Sequence, residues 1–400
     1  MASIQDLPNE IILKVIKYLS INQLVQFGEV SKRMRAVRND QSLWIKMNLS
    51  KDVRPNYEID VPTEFVKMVI ENGCQYLSLH FMKVGTPGIP ISMKYVGNLC
   101  LDKTSSLKYL DLKYCDAHFL FFEEILASCH SLQKLSMDSI REGKWITPKM
   151  INSTCYQNGH TLQTLSLRAC KGLELESIQK ITKNCVGLKN VNLQSTGLSE
   201  ESIDFLVHNL TPEVEKLDLG RLLNLKDKHV KFLVARCNKL SVLNLQKTTI
   251  TNDSLTYIIE NLEHTLEKLH VCDGITYSKV TELKSMPKLR VLNLYNDYHE
   301  GIFGDQEKEN LKKLMPLVRF DELICADERK LLPADGIWDV EAKQLKYFKK
   351  FSKRQFEELP NKIMFYMIDF LELKDRVKLG QVSKRMRQNF IAWHRCQNIF

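Results

Sequence analysis

Apolar and polar positions alternate most regularly between Leu162 and Val271, where one short phrase recurs five times. It reads Leu162-Gln-Thr-Leu165-Ser-Leu167, Leu188-Lys-Asn-Val191-Asn-Leu193, Val214-Glu-Lys-Leu217-Asp-Leu219, Leu240-Ser-Val-Leu243-Asn-Leu245 and Leu266-Glu-Lys-Leu269-His-Val271, each copy starting 26 residues after the last. Residues two apart on a strand share a face, so the fourth and sixth positions point inward and the residues between them point out. The intervals carry apolar residues at helical spacing: Ile178, Ile181 and Cys185; Ile203, Leu206 and Leu210; Val230, Leu233 and Cys237; Leu255, Ile258 and Leu262. Ser199 and Thr251 stand where two of these helices need N-caps. One such strand cannot bury its own apolar face, whereas a stack of equal units shares one core.

The phrase L-x-x-L-x-L at this period resembles the leucine-rich-repeat signature. A strand followed by a full helix in each unit resembles the ribonuclease-inhibitor-like, cysteine-containing class of that repeat. The resemblance implies an α/β solenoid with parallel strands inside and helices outside. That class favours cysteine three residues before the first leucine, where Cys129, Cys185 and Cys237 stand, and three after the third, where Cys115 and Cys170 stand. Further copies begin at Leu107, Leu132 and Leu289, with a small insertion around Gly143-Lys144-Trp145. Residues 107–320 therefore read as the repeat array. Residues 49–106 read as degenerate first repeats, Cys74–Leu79 and Val96–Leu101, separated by an irregular loop with Pro87, Gly88 and Pro90.

Residues 1–48 follow another pattern. Ile11, Ile12, Val15, Ile16 and Leu19 form a helical stripe, Leu24, Phe27 and Val30 a second, and a third helix would carry Met34, Val37 and then Leu43-Trp44. Pro8 suits a first helical turn, where its missing N–H costs nothing. Three short helices lie near the lower limit of independent stability, so packing on a partner or neighbouring domain is expected. Leu7-Pro8-Asn9-Glu10-Ile11-Ile12, Val30-Ser31-Lys32-Arg33-Met34-Arg35 and Leu43-Trp44 resemble an F-box; a generic helical cap on the array is the other reading. Met34 departs from that family, many of whose members have Trp there. The resemblance implies docking on the adaptor subunit of SCF ubiquitin ligases and, through it, on a cullin scaffold. Leu7, Pro8, Ile11, Ile12, Val15, Leu19, Val30 and Trp44 stand at the motif positions that face the adaptor or hold the helices.

The far end repeats this module at a constant offset of 352 residues, Leu7 matching Leu359 and Met34 matching Met386. Leu359, Pro360, Ile363, Met364, Leu371 and Val382 would form a second adaptor dock in residues 356–400, although Cys396 replaces the Trp. A degenerate packing domain and the opening of a further unit stay open beside it. Residues 321–355 read as a charged helical linker. Residues 341–400 hold fourteen Lys/Arg against six Asp/Glu, so eight of the nine net positive charges lie there and the array is near neutral. Neutrality argues against a polyanion on the repeats and makes nucleic acid an unexpected partner; salt-dependent binding through the basic segment is the exception kept open.

Length and a hydrophobic content of 44% allow a large core and two or three domains. The 11 cysteines, with no C-x-x-C pair and no apolar leader, read as reduced core thiols of an intracellular protein, cytoplasmic and/or nuclear, away from membranes. Neither a metal site nor a cofactor is expected.

Strand alternation gives the inner face. Ser166, Asn192, Asp218, Asn244, His270 and Asn293 form its central row, Arg168 flanks it, and Tyr295 and Tyr298 lie in a loop beyond the last clear strand with His299 and Phe303. These residues are the candidate substrate contacts; an ordinary solvated face, and a loop that closes the end of the array, are the competing readings. Asp111, His270 and Ser166 sit on different repeats and form no catalytic triad. The whole pattern implies a non-catalytic substrate-recognition subunit of an SCF-type ubiquitin ligase. An interaction scaffold without ligase activity is the alternative.

Overall fold

The structure, a computed structural model, describes residues 7–16, 21–48, 59–61, 63–80, 82–84, 105–140, 146–271, 274–294 and 303–320. The copy at Val96–Leu101, the insertion at 143–145, Tyr295, Tyr298, the 321–355 linker and the second F-box-like module lie outside these residues. Those described divide into two units between Leu43 and Trp44.

The first unit is helical: α1 (Asn9–Ile16), α2 (Ile21–Glu29), α3 (Lys32–Arg38) and the start of α4 (Gln41–Trp44). The Pro8 carbonyl accepts the N–H groups of Ile11 and Ile12 at 3.1 and 3.2 Å, so proline sits just before the first turn. Ser31 caps α3 by accepting the Met34 N–H at 3.1 Å. The expected single third helix breaks after Arg38, where Asp40 accepts the Ser42 N–H at 2.9 Å and starts α4. Ile12, Ile16, Leu24, Phe27, Met34 and Val37 close the core, with Leu7, Leu13 and Leu43 packed against it.

The second unit opens with β1 (Lys46–Asn48), β2 (Ile59–Val61), α5 (Thr63–Glu71), β3 (Tyr76–Ser78), β4 (Met82–Val84), β5 (Tyr109–Asp111), β6 (Asp116–Ala117) and α6 (Phe119–Ser128). The regular repeats follow as β7 (Lys134–Ser136), α7 (Pro148–Asn158), β8 (Thr164–Ser166), α8 (Leu175–Asn184), β9 (Asn190–Asn192), α9 (Glu200–Asn209), β10 (Lys216–Asp218), α10 (Asp227–Arg236), β11 (Val242–Asn244), α11 (Asn252–Leu262), β12 (Lys268–His270), α12 (Tyr277–Thr281), β13 (Val291–Asn293), α13 (Asp305–Leu314) and β14 (Arg319–Phe320). Eleven strands pair in the order β1-β3-β5-β7-β8-β9-β10-β11-β12-β13-β14, and β2-β4-β6 make a small second sheet. Residues 46–48, expected to close the helical module, instead supply the first strand of the large sheet.

Register is uniform. Leu110, Leu135, Leu165, Val191, Leu217, Leu243, Leu269 and Leu292 pair side by side, all buried. Each buried leucine is worth roughly 1.5–3 kcal/mol against exposure. Backbone bonds repeat with the same period: the N–H groups of Lys189, Glu215, Ser241 and Glu267 each reach the preceding repeat's carbonyl at 2.7–2.8 Å. After β5 and after each of β7 to β11 the chain turns through a left-handed residue, at Tyr114, Ser139, Ala169, Ser195, Arg221 and Lys247, with φ between 49° and 59°. None of these is glycine, so each carries strain of order 1 kcal/mol. An inter-repeat bond holds the conformation: Ser139 N–H reaches the Arg168 carbonyl and Ala169 N–H the Gln194 carbonyl, both at 2.8 Å.

The outer helices are also tied in sequence order. Ser199 and Thr251 cap α9 and α11 as expected. Asp227, at the first turn of α10, reaches into the next repeat, accepting the N–H groups of Thr251 and Ser254 at 2.8 and 3.2 Å. Asn252 does the same for the Thr276 N–H at 2.9 Å. Partial burial opposes ionisation of Asp227, yet its bonds from Ser254 and Thr251 outweigh this and hold its pKa below the usual range.

Leu217→Ala should destabilise the array by about 2–5 kcal/mol in urea titration, through the cavity it opens. Asp227→Ala should cost about 1–2 kcal/mol, the loss of a helix cap. Because a depressed carboxylate stabilises above its unfolded pKa, the Asp227→Ala deficit should shrink as pH falls through the folded value.

Candidate functional site

Two surfaces are candidates, one on each unit. On the helical module Pro8 is exposed, Leu7, Ile11 and Val15 are half-buried, and Val30 is 64% exposed. Ile11 and Val15 follow helical spacing along one side of α1, which Pro8 immediately precedes. Arg33 fixes this entry: its guanidinium donates to the Leu7 carbonyl and, from Nε and Nη2, to Asn9 Oδ1 at 3.1 and 2.8 Å. Two expected contact residues prove internal. Ile12 lies in the module's core, and Trp44, 1% exposed, belongs to the repeat unit, where it meets Phe65 edge to face at 6.2 Å. Leu19 lies outside the described residues.

The inner strand face is more tightly built than alternation alone suggests. Asp111, Asn192, Asp218 and Asn244 each fold their Oδ1 back onto the N–H two residues on, at 3.0–3.1 Å. Each side-chain oxygen thereby ends a strand in the manner of an Asx turn. Ser166 donates its hydroxyl to Asp138 Oδ1, which also accepts the Arg168 N–H at 3.1 Å, while Lys113 Nζ lies 3.9 Å from Oδ2. Asn293 is 0% exposed and accepts from Gln246 Nε2 at 2.9 Å. Ser166 and Asn293, expected as substrate contacts, are therefore buried parts of the face's framework. Arg168, Asn192, Asp218, Asn244 and His270 keep partial exposure. Tyr295 and Tyr298 fall outside the described residues; Phe303, from the same expected loop, packs edge to face on Tyr277 at 5.6 Å.

Burial sets the electrostatics. It raises the Asp138 pKa, against the pull of Lys113 and the Ser166 bond, and raises Asp218 against the bonds from Gly220 and Asn244. It lowers His80, whose ring stacks on Tyr114 at 5.7 Å, although Asp111 pulls the other way. The thiols behave as core residues: Cys74, Cys115, Cys129, Cys155, Cys170, Cys185 and Cys237 are buried and free. Desolvation pushes Cys74, Cys129 and Cys170 to about 12 and Cys237 to about 11.

Among the described residues one trio, Glu200, Asp204 and His229, has metal-ligand composition. Its hydrogen bonds point elsewhere. His229 Nδ1 accepts the Lys226 N–H at 2.8 Å, which leaves the proton on Nε2, 3.0 Å from Asp204 Oδ1. A protonated nitrogen cannot ligate. Glu200 is held by Lys226 at 2.6 Å and Lys228 at 2.7 Å, and these bonds draw its pKa down to about 2. The trio is a helix cap with an ion-pair ladder.

A row that sequence reasoning passed over shares the inner face. The residue before each fourth-position leucine lies two from the central row and points the same way. In register these are Lys46, Tyr76, Tyr109, Lys134, Thr164, Asn190, Lys216, Val242, Lys268, Val291 and Arg319. The period-two pattern was sufficient to find them.

These features define a leucine-rich-repeat solenoid preceded by a trihelical module. Residues 79–326, more than half of the chain, match the family model of the SKP2 LRR domain, and the chain belongs to that family. Residues 4–50 match the F-box-like model and residues 356–389 the F-box domain. The DNA repair protein rhp7 of Schizosaccharomyces pombe is 29% identical over 246 residues, 59% of this chain and 42% of that protein. The chain thus spans under half the length of this curated relative. Among solved structures, a chain of the yeast Rad7 and Elc1 complex aligns at 16% identity and TM-score 0.36, covering 72% of this chain and 88% of that one. The leucine-rich-repeat protein LegL7 of Legionella pneumophila aligns at 10% and 0.35, covering 71% and 97%. No helix among the described residues is long and apolar enough to cross a membrane.

A raised carboxylate pKa means that folding disfavours ionisation, so Asp138 should cost stability as pH rises from about 4, its unfolded value, through its folded one. Asp138→Asn keeps the Oδ1 acceptor and removes the charge. Its urea midpoint should therefore fall less than wild type's across that rise; parallel pH profiles would refute the assignment.

Proposed function

We propose that this chain is the substrate-recognition subunit of an SCF-type ubiquitin ligase. The helical module docks on the adaptor subunit, which bridges to a cullin, and the inner strand face holds a protein substrate. Ubiquitin transfer belongs to the associated enzyme; the chain positions its target. The observation that carries this reading is the unmet apolar surface of the small module, with Val30 64% exposed and Pro8 in solvent at the mouth of a helix that Arg33 pins. A module that small gains from burying such residues on a partner.

Arg168, Asn192, Asp218, Asn244 and His270 are the substrate contacts in this reading, spread over five consecutive strands that pair in register. Partly exposed polar groups spread across five strands suit an extended protein segment rather than a small molecule. The resemblance to the fission-yeast DNA repair protein supports a nuclear setting.

Val30→Asp combined with Pro8→Ala tests the docking. Both residues are exposed, so the melting temperature should stay near wild type, while adaptor co-purification should weaken by about 2 kcal/mol or more, as for a central interface anchor. Retained adaptor binding would overturn the reading.

A further inference from the structure

We infer that the substrate segment held by the inner face is acidic along one edge, and that the row beginning at Lys46 reads those carboxylates. The inference rests on the inner face being the substrate surface. Eleven register-paired positions of that row contain Lys46, Lys134, Lys216, Lys268 and Arg319 and not one acid. Lys46 and Lys216 are exposed, and Lys134 and Lys268 partly so. At the amino end the row is aromatic. Tyr76 stacks on Tyr109 with centroids 4.4 Å apart and planes 11° off parallel, and Lys46 Nζ lies 4.7 Å above the Tyr76 ring. Lysine over stacked phenols is a favourable seat for a carboxylate, which gains the ammonium and two hydroxyl donors.

The neighbouring row determines which anion fits. Two residues further along the strands stand Asp111 and Asp218, with buried Asp138 beyond. These carboxylates repel a polyanion spread across the sheet, so negative charge is welcome at one edge only. The density of cations agrees. Strands lie about 4.8 Å apart, so Lys216 and Lys268 stand roughly 10 Å apart and Lys134 and Lys216 roughly 14 Å. A nucleic-acid strand carries a charge every ~3.4 Å and would leave most of them unmatched. An extended peptide advances ~3.3 Å per residue, so an acid at roughly every third or fourth position meets each lysine. The acids next to Lys216 and Lys268 lie off their row: Glu215 is paired with Lys189 at 3.1 Å, and Glu267 precedes its strand on the opposite alternation.

The test uses the full chain and a fluorescein-labelled Glu–Ser peptide with Glu at every third position, beside a Lys–Ser peptide of the same spacing and single-stranded oligodeoxythymidine, in fluorescence anisotropy. The glutamate peptide should bind at least about tenfold more tightly than either control and weaken with salt. Lys216→Glu with Lys268→Glu, both accessible positions, should lose about tenfold, the effect of two exposed pairs turned to repulsion. Lys216→Gln with Lys268→Gln should lose less. Equal binding of the Lys–Ser peptide, tighter binding of the oligodeoxythymidine, or unchanged affinity in the reversed variant each overturns the inference. Adaptor co-purification by the same variants should match wild type. A loss there would count against the receptor reading, and a failed peptide titration with the adaptor retained against the acidic edge alone.

Discussion

Every strand of the large sheet is two or three residues long, too short to persist without a paired neighbour. What makes such strands stable is the coincidence of two periodic interactions. The leucine ladder from Leu110 to Leu292 removes apolar surface from water, and the backbone bonds from each repeat to the one before satisfy the polar groups that burial would otherwise strand. Neither suffices alone. A leucine without the register would face solvent, and a backbone rung without the leucine would be exchanged for water. The cysteines fit the same logic, since a small side chain fills the narrow space between helix and strand and its thiol stays protonated there.

The inner face inherits its chemistry from this frame. Asp111, Asn192, Asp218 and Asn244 spend one oxygen each on ending a strand, and Asp218 takes a further bond from the Asn244 side chain. Asp138 ties three neighbouring repeats by holding Ser166, the Arg168 backbone and Lys113.

Much of this was legible in the sequence, and the failures have physical causes. The repeats announced themselves because strand alternation and a 26-residue spacing coincide. The left-handed turns did not, because Tyr114, Ser139, Ala169 and Arg221 share no chemistry. Their conformation comes from a bond to the next repeat rather than from the residue. Lys46–Asn48 lacks the leucine phrase and became a strand through its pairing with Tyr76–Ser78. Alternation told which way Ser166 and Asn293 point but not how deeply they lie, since depth is set by Asp138 and Gln246 from other repeats. Trp44 matched a motif position, yet it belongs to the repeat unit, together with Phe65, the ring it meets edge to face.

The caps supplied by Asp227 and Asn252 point one way along the chain, each from an earlier helix to a later one. Mechanical and proteolytic resistance of this stretch is accordingly polar. Removing a repeat from the amino side strips the donors' partner from the helix that follows, whereas removal from the carboxyl side leaves every remaining cap in place. Erosion of this stretch therefore travels more easily toward the carboxyl end than back from it.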